Sequence, residues 1–214
     1  MNGYNYEAEL LYMQLWRFYE KSVGMWVIES NRSLFRYPLK PGEDTSGPVR
    51  EYFNYLNNVL DAAGDLFMLR YVENPPGSAL LKSYGQLVPG EIRGELIASW
   101  DAEAKKSDGW RPAARFGGMS RIHVKENSTV LPVEIPDALR LCLAAANDRY
   151  LLTLVTNCDL WLERYISGED NAEAGSLNAS SLGRTIMALE VAMDGKIVSC
   201  GSEMGAAVNE HGFS

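Results

Sequence analysis

Two histidines, three cysteines and a few closely spaced carboxylates are the residues of this 214-residue sequence that could perform acid–base, nucleophilic or metal chemistry. Helical metal sites gather several ligands three or four residues apart, and neither His123 nor His211 belongs to a zincin or di-metal carboxylate pattern of that kind. Both are expected at the surface or in ordinary hydrogen bonds. Cys158 stands in Thr156-Asn157-Cys158-Asp159. A reactive thiol needs a positive neighbour to stabilise the thiolate, and Asp159 acts in the opposite sense, so Cys158 is expected as a small buried hydrophobe. Cys142 and Cys200 complete an odd, widely spaced set with no C-x-x-C pair, which suits neither a disulfide framework nor a zinc site.

The carboxylates follow the same pattern. Asp159 and Glu163, like Asp61 and Asp65, are four apart and would share a helix face. A paired-carboxylate site needs burial and ligands from a second helix, such as Glu-x-x-His, and none occurs. Gly117-Gly118 precedes a strand-like stretch instead of opening a helix, and no phosphate-cradling glycine pattern is present. The expectation is a chain that is not an enzyme, with no catalytic residues, no metal and no cofactor.

Charge is the more informative signal. The net charge is −8, yet residues 105–125 carry Lys105, Lys106, Arg111, Arg115, Arg121 and Lys125 against Asp108 alone. Residues 155–214 carry three cations against nine carboxylates, among them Glu169, Asp170 and Glu173. Trp110 and Phe116 lie within the basic stretch, which would suit stacking on nucleic-acid bases. The acidity of the whole chain makes nucleic acid a minor reading. A basic loop that meets the acidic third, within one chain or between copies, is the alternative, and a merely solvated loop is the plain one.

The elements that would position these residues read as helices. Residues 6–29 are rich in large apolar side chains interrupted by charges, which predicts a helix covered on more than one side. Pro48 opens a second helix, with Val49, Tyr52, Phe53, Leu56, Val59 and Leu60 at three- and four-residue steps. A third is expected near Pro89, through Ile92, Leu96, Ile97 and Trp100. Residues 107–119 read as loop. Residues 121–125 and 129–135 alternate about Glu126-Asn127-Ser128 and predict a small hairpin, with Pro132 confining its second strand to an edge. Residues 136–167 predict a long helix bent near Asn147 or Thr156-Asn157, and residues 168–181 a polar loop. A last helix through Leu182, Ile186, Leu189 and Met193 ends at Gly195 and leads to a short strand over residues 196–200.

The predicted architecture is mainly α: one domain over residues 1–214, an irregular bundle of about five helices with one small β-hairpin. A basic loop lies near 105–125 and an irregular tail near 201–214. The expected function is that of a non-enzymatic structural or interaction protein, a helical subunit of a larger protein assembly such as a viral or phage particle. The alternative is an acidic inhibitor or regulator, of immunity or anti-defence type, that blocks a basic partner surface. Expected contact residues are Trp16, Tyr19 and Trp26 on the first helix, Trp110, Arg111, Arg115 and Phe116 on the loop, and Glu169, Asp170 and Glu173 in the acidic third. The partner is a protein or a second copy, with no membrane. The opening MNGYNYEAEL lacks a signal-peptide pattern, so the expected location is cytoplasmic, or an assembled particle.

Overall fold

A computed structural model describes residues 18–32, 43–44, 46–74, 78–82, 100, 111–126, 128–146 and 148–214. It overturns the helical bundle. The chain is mainly β, a seven-stranded antiparallel sheet with two helices among the described residues, so the all-α expectation is wrong. The strands are β1 (Gly24–Ser30), β2 (Met68–Asn74), β3 (Ser78–Lys82), β4 (Ala113–Glu126), β5 (Thr129–Ala146), β6 (Arg149–Thr156) and β7 (Gly195–Gly201). Their order in the sheet is β3-β2-β4-β5-β6-β1-β7. The helices are α1 (Ser46–Ala63) and α2 (Ala172–Ala192).

Helix α1 forms where the spacing placed it. Asp44 receives the backbone N–H of Ser46 at 2.9 Å and its hydroxyl at 2.7 Å, which also holds the Asp44 carboxyl below its usual range. Val49, Tyr52, Phe53, Leu56, Val59 and Ala63 form the buried stripe. Gly64 then takes a left-handed φ of 53°, which stops the helix and starts a single turn of tighter helix, Gly64–Leu66. The helix expected near Pro89 lies outside the described residues except for Trp100, which is buried edge-on against Tyr52 at 4.8 Å.

The long helix expected over residues 136–167 is instead the end of β5, then β6, then irregular chain from residue 157. Leu139, Leu141, Leu143 and Ala145 alternate with Arg140, Cys142 and Ala144, and Tyr150, Leu152 and Leu154 alternate with Leu151, Thr153 and Val155. The helical reading took Leu139, Leu143, Leu151, Leu154 and Val155 and passed over Leu141 and Leu152, which carry the two-residue period. β5 ends at Ala146 and β6 begins at Arg149, with Asp148 in a turn, next to one of the positions expected to break the helix.

The first expected helix fails at its described end. Residues 24–30 are β1, inserted between β6 and β7, with Trp26 and Ile28 fully buried on one face and Met25 and Val27 half-buried on the other. The expected loop at 107–119 is from Ala113 onward the start of β4. Most of the expected polar loop at 168–181 is the first half of α2. The strand after Gly195 is present as β7. The tail is more ordered than expected: β8 (Val208–Asn209) pairs with β9 (Gly212–Phe213), Phe213 meets Trp26 edge-on at 5.5 Å, and Trp26 Nε1 donates to the Asn209 carbonyl at 2.8 Å.

The expected hairpin about Glu126-Asn127-Ser128 exists but is far longer, with β4 and β5 paired from Ala113↔Ala144 to Glu126↔Thr129. Pairing of β5 with β6 covers only Arg140 to Ala146. Beyond that stretch the hairpin projects as an arm in which, among the described residues, β5 has β4 as its one strand neighbour, so Pro132 and Pro136 forfeit no ladder bond toward β6. The arm folds against α2, burying Ile122, Val124 and Ile135. Asn178 of α2 caps it: its amide oxygen accepts the His123 N–H and its amide nitrogen donates to the His123 carbonyl, both at 2.8 Å.

Both helices pack on one face of the sheet. Tyr52 of α1 donates to the Leu143 carbonyl at 3.0 Å and its ring meets Tyr150 edge-on at 5.8 Å. Trp26, Leu141, Leu143, Leu152 and Leu154 point into this layer and are at most 1% exposed. No helix among the described residues is long and apolar enough to cross a membrane.

Candidate functional site

The second face of the sheet holds the side chains that strand alternation turns away from the core. Register aligns them in rows across five strands. One row runs Glu73, Arg115, Cys142, Thr153 and Val27, and the next runs Tyr71, Gly117, Arg140, Val155 and Met25. Where these rows cross β2, β4, β5 and β6 they line a cleft of about 410 Å³, with Asn157 at one end. Val27, Val155, Thr153 and Cys142 are half-buried, whereas Arg115 and Arg140 are exposed.

A β-bulge shapes the cleft. Between Gly117↔Arg140 and Met119↔Pro136, β4 spends one residue and β5 spends three. Asp137 in that bulge adopts a left-handed φ of 52°, a conformation that aspartate tolerates better than most residues. Tyr71 donates its hydroxyl to Asp137 Oδ1 at 2.7 Å, while Arg140 Nη2 stands 3.9 Å from Asp137 Oδ2. The Tyr71 ring lies over Gly117, where any Cβ would overlap it, so glycine there is a requirement of packing. Burial, and then the Asp137 carboxylate, push the Tyr71 hydroxyl well above its usual pKa. Tyr71 thus remains a proton donor to Asp137.

Cys142 lies beside Arg115. Burial raises the thiol's pKa, and the guanidinium charge and hydrogen bond oppose that rise without cancelling it. At neutral pH the thiol is therefore protonated. Arg115 and Arg140 are diagonal neighbours on adjacent strands, about 7–8 Å apart at the backbone. Their forked donors suit a carboxylate or phosphate. Chemically, the arrangement suits recognition of an acidic group above an apolar floor.

The expected contact residues are dispersed. Arg115 lies in the cleft, and Arg111 is half-buried just before β4. Trp26 and Phe116 are 0% and 1% exposed on the helix-covered face, so neither can meet a partner: strand alternation points both into the core. Tyr19 donates to the buried Asp159 at 2.7 Å and belongs to the chain's own packing. Trp16 and Trp110 lie outside the described residues. Glu169, Asp170 and Glu173 are exposed at the start of α2, and Glu173 receives Lys125 Nζ at 2.5 Å. That ion pair joins the basic stretch to the acidic third within one chain.

The remaining chemistry candidates separate. Cys158 is fully buried, and burial pushes its thiol up to about 12, in keeping with a packing role. Asp159 and Glu163 do not share a helix face, for they lie in irregular chain, the first buried and the second exposed. His123 sits on the arm and His211 in the β8–β9 turn. Among the described residues no cluster of three histidine, cysteine or acidic side chains could hold a metal. Sequence reasoning missed Tyr71, Glu73, Arg140, Cys142 and Thr153. The signal that could have found all five is the two-residue alternation of β2, β5 and β6.

Compared with protein-family models, with curated proteins and with solved structures, the chain matches none of them.

Proposed function

We propose that this chain is a non-enzymatic interaction protein that assembles with further copies of itself. In this reading the cleft on the open sheet face receives the acidic segment of residues 163–170 from the next copy. The observation that carries it is the asymmetry of the sheet among the described residues: one face is closed by two helices, and the other offers half-buried apolar side chains rimmed by Arg115 and Arg140. An apolar centre with an arginine rim is the anatomy of a protein interface. Glu163, Glu169 and Asp170 are exposed and supply the complementary charge. Because donor and acceptor patches differ, the contact is head-to-tail.

Light scattering across ionic strength tests this. The expected result is a mass above that of the 23.8 kDa chain at low salt, falling as salt screens the contact. The double variant R115E/R140E should be monomeric, and adding E169K/D170K to it should restore association. A wild-type monomer at high concentration and low salt, or a mass indifferent to these reversals, overturns the reading.

The acidic third favours a second reading, a regulator that covers a basic partner surface. The net charge of −8 and the exposed Glu169 and Asp170 support it. It expects a monomer, and a salt-sensitive complex with a basic protein that charge reversal at Glu169, Asp170 and Glu173 weakens.

A further inference from the structure

On the helical side, away from the open sheet face, a depression of about 300 Å³ lies between α1 and the end of α2. Glu51, Asn54, Tyr55 and Asn58 line it at i, i+3, i+4 and i+7, one stripe of α1. Val191 and Ala192 of α2 form its apolar wall, and Arg32 and Asp194 stand with them. Among the described residues the buried Glu51 Oε2 lacks a hydrogen-bond partner, and the buried Tyr55 hydroxyl has only Ser30 beside it. Tyr55 is 8% exposed and has the Ser30 hydroxyl as its side-chain neighbour, which leaves the Tyr55 oxygen able to accept. An orphaned oxygen such as Glu51 Oε2 costs free energy unless something fills its valence.

The missing partner is cationic. Glu51 has no donor on Oε2, and burial raises its affinity for a proton against the opposing charge of Arg32, as befits a carboxylate short of donors. Arg32 spends Nε on Asp194 Oδ2 at 2.8 Å, with its side chain 73% exposed, so it lies at the mouth and does not fill the site. The C-terminal end of a helix favours positive charge, and α2 has no basic residue in its last turn. Val191, 81% exposed, is an apolar surface beside these acceptors that an aliphatic stem would cover.

We propose that this depression is a docking site for one basic side chain, lysine or arginine, of a protein partner. Its stem lies on Val191 and Ala192, and its charged head reaches Glu51, with Tyr55 and the Asn54 and Asn58 amides as neutral acceptors. The site is independent of the open-face contact, because none of its residues lines that cleft.

The test is a titration of the 15N-labelled full chain with n-butylammonium and, separately, with n-butanol, the neutral analogue of similar size. The side-chain amides of Asn54 and Asn58 should shift saturably with butylammonium, with a Kd on the order of millimolar for so small a ligand. Butanol should bind at least tenfold more weakly. Glu51→Gln should weaken butylammonium tenfold or more, and Asn58→Asp should tighten it at least threefold. Equal shifts from butanol, no shift at either amide, or a Glu51→Gln variant with unchanged affinity overturns the proposal. If Glu51→Gln does not fold, the response of Asn58→Asp decides alone, and an affinity unchanged or weakened there overturns it.

Discussion

The two faces of the same strands teach different things. On the covered face, Leu141, Leu143, Leu152 and Leu154 meet α1 and α2 and are at most 1% exposed. One residue away along each strand, Arg140, Cys142, Leu151 and Thr153 belong to the other face and stay partly or fully exposed. Neighbours in sequence thus serve different ends, one set holding the fold together and the other offered for contact. Stability should concentrate on the first face and solution behaviour on the second.

Adjacent residues of β1 give the sharpest contrast. Trp26→Ala removes a fully buried indole, its bond to the Asn209 carbonyl and its contact with Phe213, and should cost about 3–5 kcal/mol in denaturant unfolding. Val27→Ala, one position along on the open face, should cost no more than about 1 kcal/mol. Similar losses at the two positions would mean that the open face is structural after all.

Cys158 and the exposed face differ in their response to pH. The Cys158 thiol is raised from 9.0 to about 12 by burial, so the unfolded chain ionises first as pH climbs. Its contribution to stability is fully present below pH 9 and declines as pH rises toward 12. By pH 10.5 the wild type should have lost about 2 kcal/mol that Cys158→Ala does not lose over the same range, read as the difference between their unfolding curves. Parallel curves would show the thiol to be accessible.

The arm offers a middle case, since its strands lack β6 as a neighbour. Asn178→Ala removes both amide bonds to His123 and should cost roughly 1–2 kcal/mol, with faster amide exchange confined to the arm. Smallest of all, Lys125→Ala breaks an ion pair between two exposed side chains and should change stability by less than about 1 kcal/mol. A larger loss would give the joining of basic and acidic regions a structural weight that its exposure does not suggest.

What could be read before the structure follows the range of the interactions involved. The stripe of α1, the strand after Gly195 and the turn at Ser128 depend on neighbours within a few residues, and each was legible. The stretch from Leu139 to Val155 was not. Leucine and alanine are good helix formers, and Leu139, Leu143, Leu151 and Leu154 satisfy a helical spacing while Leu139, Leu141, Leu143 and Ala145 satisfy a strand. The strand prevailed because β4 on one side and β1 beyond β6 on the other pair with it, neighbours far away in sequence.

The candidate cleft shares that origin. Tyr71, Arg115, Cys142 and Thr153 lie on four strands and meet only through register. The apolar alternation, the α1 stripe and the uneven charge were determined by the order of residues alone, since each is a property of short segments. Which face each strand buries, that Trp26 lies in the core and that Arg115 faces solvent were decided only in the assembled sheet. The reason is physical: a two-residue period divides a strand into two faces, and only the packing of α1 and α2 selects which of them is covered.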